Sequence, residues 1–163
     1  LLLRRPGPYQ IQAAIAALHA QAPEPAATDW AQISALYGAL LRHMNTPVVE
    51  LNAAVALAMA HSPDDGLAWI ERIAQGGAID QYHLLHAARA DLLRRAGRRP
   101  QAAAAYRQAL ERVTNQAERN YLLRRLREVD LRRGRGDLSS RPRRAAPVVA
   151  ACPSTGGRSG SRE

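Results

Sequence analysis

His83 and His86, one helical turn apart, have the most obvious chemical reach of any pair in the chain. Side chains three apart on a helix are neighbours, so the two imidazoles have the spacing of paired metal ligands. A zinc site takes three or four protein ligands, and no third one is expected close by. The lone cysteine, Cys152, lies far downstream. Packing or partner contact is therefore the expected role of both histidines. Arg89 follows three residues on, between Leu85 and Leu92. A guanidinium bordering an apolar stripe has to snorkel outward or meet a carboxylate. Asp91 falls on the opposite side of the same helix, so the expected carboxylate comes from another helix, with Glu50 as the candidate. Arg89 then either pins two helical units together or marks a binding surface. Asp64-Asp65 suits a helix start, where the dipole favours acids. There is no phosphate-cradling glycine loop, no His-Glu-x-x-His, no serine elbow, and no cysteine nucleophile before the tail. No catalytic residue, metal or cofactor is expected.

The elements that must position these groups are helical. The 163 residues suggest one domain, and 47% of them are apolar, enough for a core. Aromatics are 4% with no Phe, so the core is built of Leu, Ile, Val and Ala, which favours closely packed helices over strands. The first helix is expected from about Pro8 to Gln21, stopped by Pro23 and Pro25. Thr28 is the expected N-cap of a second helix, in which Trp30, Ile33, Tyr37 and Leu40 share one face. Thr46 and Pro47 open a third, with Val48, Leu51, Val55 and Met59 as its stripe. Ser62, Pro63 and Asp65 open a fourth carrying Leu67, Ile70 and Ile73. Asp80 is the expected cap of the fifth, which Gly97 ends. Pro100 opens a sixth with Ala102, Tyr106 and Ala109 inward. Asn115 and Glu118 make the capping-box pattern of a seventh, whose apolar side is Leu122, Leu126 and Val129. About seven antiparallel helices follow from such short links.

Charge divides the chain. Net charge is +9, and all 23 basic residues are Arg, as in a GC-rich coding bias. Residues 1–131 hold 15 Arg and 12 acids, a net +3; residues 132–163 hold 8 Arg and 2 acids, a net +6. The expected organisation is a helical domain over 1–133 and a disordered Arg/Ser/Gly/Pro-rich tail over 134–163. A basic tail offers nonspecific, salt-sensitive nucleic-acid contact, without the interleaved aromatics that single-strand stacking uses. No apolar run approaches a membrane span. Leu1–Leu3 look like the last turn of a helix, not a signal peptide.

Within the helices a repeat is visible. Ala31, Gly66 and Ala102 are 35 and 36 residues apart, and Ala35, Ile70 and Tyr106 keep those spacings, as do Gly38, Ile73 and Ala109. A period near 34 with small residues at helix contacts is the tetratricopeptide pattern. One helix pair cannot bury both its faces, so pairs stack. In such a pair the first helix lines the concave groove, which places Asp91, Arg94 and Asn52 as groove-facing candidates for partner binding beside His83, His86 and Arg89.

Four blocks in order carry a family resemblance: GPYQIQAAIAALH from Gly7 to His19, TDWAQI from Thr28 to Ile33, PVVELN from Pro47 to Asn52, and YHLLHAARADLLRRAG from Tyr82 to Gly97. Over about residues 1–131 the chain resembles the C-terminal tetratricopeptide-like extension of a group of extracytoplasmic-function sigma factors. The resemblance implies an α-solenoid of helical hairpins. It also implies a cytoplasmic interaction module that modulates transcription initiation through the sigma domains, RNA polymerase or a regulator. The two promoter-reading domains that precede the extension in that family are not in this sequence, so DNA would be met only indirectly.

Overall fold

In the computed structural model, residues 6–131 are described. They form seven helices and no strand. These are α1 (Pro8–Gln21), α2 (Trp30–Leu41), α3 (Pro47–Ala60), α4 (Pro63–Gln75), α5 (His83–Arg95), α6 (Arg99–Arg112) and α7 (Gln116–Leu131), with a 3-10 turn at Pro25–Ala27. The readings of Leu1–Leu3 and of the tail beyond Arg133 lie outside the described residues.

Local chemistry sets the helix ends. The Thr46 hydroxyl accepts from Val49 N at 3.3 Å and the Ser62 hydroxyl from Asp65 N at 3.3 Å, satisfying first-turn donors. Asn115 Oδ1 accepts from Ala117 N and Glu118 N at 2.8 and 3.3 Å. Gly97, at φ +77°, closes α5; its successor Arg98 donates N–H to Leu93 O at 2.9 Å, the six-to-one bond of a Schellman end. Two caps differ from expectation. Asp29, not Thr28, caps α2, accepting from Gln32 N at 2.9 Å. Asp80 stands clear of the α5 start, which has Tyr82 at the cap position.

The hairpins α1–α2, α3–α4 and α5–α6 stack, with α7 closing against α6. Because α3 has a hairpin on each side, it buries residues all round. Val49, Ala53 and Ala56 join Ile11, Ile15, Ile33, Tyr37 and Leu40 in one core cluster, while Leu51, Val55 and Ala58 join Leu67, Ile70, Leu85 and Leu92 in the other. Trp69 packs against both. Burying a Leu- or Ile-sized side chain contributes about 1.5–3 kcal/mol, so these two clusters hold the stack together.

The small-residue overlay holds for two of its three helices. Gly66, Ile70 and Ile73 on α4 and Ala102, Tyr106 and Ala109 on α6 are all buried. On α2, Ala31, Ala35 and Gly38 are exposed instead, and Ile33, Tyr37 and Leu40 point inward. The inward set of α2 thus sits two residues further on than the overlay placed it, because α2 packs through large side chains rather than small ones. Gly66 shows why a small residue is required on α4. A Cβ there would overlap the Ala58 methyl and stand 2.7 Å from the Ala54 carbonyl oxygen.

Candidate functional site

Helix α5 carries five of the six residues singled out from the sequence, and it is enclosed by α3, α4 and α6. Two of the six do not face a groove. Asp91 is 2% exposed and Asn52, on α3, 1%. Asp91 is neutralised within its own helix. Arg94 Nη2 donates to its Oδ1 at 2.6 Å and Arg95 Nε to its Oδ2 at 2.9 Å. Residues three and four apart lie over one another, so a buried acid can recruit both arginines locally. His86 is also buried, 6% exposed, and its Nε2 is 2.7 Å from the Asp80 carbonyl oxygen. Arg112 Nε donates to the same oxygen at 3.1 Å, which ties the loop before α5 to the end of α6. His83 Nε2 lies 2.8 Å from Glu118 Oε2 of α7, at ion-pair distance but outside hydrogen-bond alignment. The two histidines therefore serve different contacts. Among the described residues no three His, Cys, Asp or Glu come together as a metal site.

Where α5 meets α6 and α7 a second polar cluster is buried. The Tyr106 hydroxyl is enclosed with no hydrogen bond, close to Arg94 and Asp91. Burial first, then the Asp91 charge, pushes this phenol well above its usual range, and Arg94 opposes them only in part. Arg125, 7% exposed, donates Nε to the Tyr121 hydroxyl at 3.1 Å and Nη1 to Glu128 at 2.8 Å. The Arg125 contacts lie within α7, while the Tyr106 hydroxyl keeps no hydrogen bond.

Arg89 is different. Its Nε donates to Glu71 Oε1 of α4 at 2.7 Å, so the carboxylate is Glu71 and not Glu50. The pair stands at the edge of a cleft of about 490 Å³. Asp64, Ala68 and Glu71 form one wall, at the spacing of a single face of α4, and Gln101, Ala104 and Gln108 form the other on α6. Leu93 and the Arg89 stem make the floor. At one end Arg98 Nη2 donates to Asp64 Oδ1 at 2.7 Å. The walls are second helices of successive hairpins, so this hollow is not the groove of first helices that the repeat pattern suggested. It stays open because Ala68 and Ala104 are small. Glu71, Asp64, Arg98 and the two glutamines were missed in the sequence. The available signal was spacing: Asp64 and Glu71 are seven apart, and Arg98 is 34 residues after Asp64, one repeat length.

The fold and this cleft define a class: a stack of helical hairpins with a polar surface hollow between successive units. No family model matches the chain, and no solved structure matches it. A protein of Rhizobium meliloti (strain 1021), described only as uncharacterised, is 46% identical to it over 119 residues. That match takes in 73% of this chain but 28% of the relative, so the chain spans little more than a quarter of that protein's length. No described helix is long and apolar enough to cross a membrane.

Proposed function

We propose that the chain is a non-catalytic protein-interaction module related to the C-terminal extension of extracytoplasmic-function sigma factors. It acts in the cytoplasm and modulates transcription initiation by binding sigma-factor domains, RNA polymerase or a regulator. The observation that carries the reading is the cleft. It is a concavity on a stacked scaffold, edged by two arginine–carboxylate pairs, whereas Asp91 and Arg94 pair with each other on α5 and His86 is buried against the Asp80 carbonyl. Stacked repeats bind other proteins on concave surfaces, and the concavity here lies between the second helices α4 and α6. The four sequence blocks give further support, since they fall in order on α1, α2, α3 and α5. The Rhizobium match adds that a related segment occurs within a much longer polypeptide.

The test is a binding measurement with the purified chain immobilised. Core RNA polymerase and the promoter-reading domains of an extracytoplasmic-function sigma factor are applied separately. Saturable binding to one of them, retained when residues 134–163 are deleted, is the expected result; binding to neither sinks the reading. A second reading rests on the +6 charge of residues 132–163 and makes the chain a nonspecific nucleic-acid binder. In that case DNA binding disappears with the tail and falls steeply with salt.

A further inference from the structure

Each arginine of the cleft is only partly used. Glu71 takes the Nε–H of Arg89, and no described group takes either Nη nitrogen. Asp64 takes one Nη of Arg98, and its Nε and other Nη are open. A guanidinium carries five N–H donors in a rigid planar fork, and its edges match a carboxylate bidentately. Gln101 and Gln108 add amide donors on the α6 wall. Glu71 and Asp64 each meet arginine through one oxygen and keep the other, so the charges of the hollow balance, and the open guanidinium edges are its charged donors. Its middle is lined by the apolar Ala68, Ala104 and Leu93.

Building on the reading of the chain as an interaction module, we propose that this cleft binds an extended acidic segment of the partner protein. One Asp or Glu side chain sits on the open edge of Arg89 and another on that of Arg98. The acids on α4 that hold the two arginines are seven residues apart, a separation of roughly 10 Å at 1.5 Å per residue. A polyproline II segment, rising about 3.1 Å per residue with three residues per turn, covers that distance in about three residues and brings its side chain back to the same side. The segment recognised is therefore acid-x-x-acid, with its intervening carbons on the alanines. The volume fits a short extended segment, being within the roughly 300–1,000 Å³ of small-ligand sites.

The experiment is fluorescence anisotropy with the full chain and a labelled peptide carrying Glu-x-x-Glu among alanine and serine. The same peptide with Gln at both positions is the control. Arg89→Gln is expected to weaken binding by about tenfold through the loss of one charge-assisted contact, and Arg98→Gln, whose side chain is 50% exposed, by about threefold to fivefold. Arg127→Gln removes the same charge from the exposed side of α7 and is expected to change affinity by less than about twofold, since exposed charges contribute little. Equal losses for Arg127→Gln and Arg89→Gln, or equal binding of the Gln peptide, would overturn the site and leave only attraction to a basic chain. Displacement of the peptide by inorganic phosphate at constant ionic strength would overturn it too. Circular dichroism checks that each variant is folded. If the double variant R89Q/R98Q still binds polymerase or the sigma domains, the cleft fails and the interaction reading stands. If the chain takes the peptide but neither protein, the cleft stands and the reading of polymerase or sigma domains as partners fails.

Discussion

Replacing Gly66 with Ala sets helix propensity against packing. In a helix interior Ala is favoured over Gly by about 1 kcal/mol. At Gly66, however, the new methyl would overlap the Ala58 side chain, and its next neighbours are the Ala54 carbonyl oxygen at 2.7 Å and Leu92 Cδ1 at 3.0 Å. A leucine methyl can rotate away, but a carbonyl in the middle of α3 cannot, so α4 has to separate from α3. Overpacking of this kind costs typically 1–3 kcal/mol, and the involvement of backbone puts Gly66→Ala near the upper end. The net expectation is a loss of about 1–2 kcal/mol. Gly38→Ala is the internal control. It is the same chemical change in a helix interior, but its Cβ meets nothing within 4 Å, so it should gain up to about 1 kcal/mol. Urea denaturation followed by circular dichroism, with the slope checked for constancy, reads both. The two variants are expected to move in opposite directions and to differ by about 2–3 kcal/mol. A Gly66→Ala protein as stable as Gly38→Ala would refute the close α3–α4 contact on which the stacking rests.

Asp91→Asn takes the buried carboxylate from Arg94, and breaking such a buried pair is expected to cost about 3 kcal/mol; thermal melting measures it, and a loss below that of a surface substitution would show that the arginine simply turns to solvent. Tyr106 gives a pH prediction. Its phenol stays protonated in the fold above the unfolded pKa near 10, so the unfolded state sheds the proton first and stability falls as pH rises past 10, by up to about 1.4 kcal/mol per pH unit. Tyr106→Phe should flatten that decline in urea titrations at alkaline pH and cost little at neutral pH, where it removes a hydroxyl without a hydrogen bond. His19 should act at the other end: burial beside Trp30 lowers its pKa, so the unfolded chain takes up a proton first and stability decreases as pH drops below 6.5. His19→Gln is expected to reduce that acid sensitivity in a melting series.

The backbone plan was largely legible. Thr46-Pro47, Ser62-Pro63, Gly97 and Asn115 act within one turn of their own position, so the ends they mark could be read without a neighbour. The starts of α2 and α5 were misread because Thr28 and Asp80 are also acceptable cap residues; the φ/ψ of the entering chain, not the residue type, selects among them. The site was less legible. Asp91 and Asn52 read as groove-facing because they are polar on a first helix. Asp91 could go inside because two arginines on its own helix neutralise it there. The exposed alanines of α2 were assigned to a contact face because small residues look alike whether they make room for a helix or merely face water.

The sequence by itself determined that this chain is helical, how many helices the described region holds, where most of them begin, and that its folded part is only mildly basic. These follow from propensity, caps and charge counts, all of which act over a few residues. Only the tertiary structure decided how each helix is rotated about its axis. That rotation pairs Arg89 with Glu71 instead of Glu50, buries Asp91 of α5 rather than turning it to a groove, and sets α4 and α6 apart over an alanine-lined hollow. A rotation of one residue, about 100°, would undo each of these while leaving every cap in place, so no local signal could have fixed them.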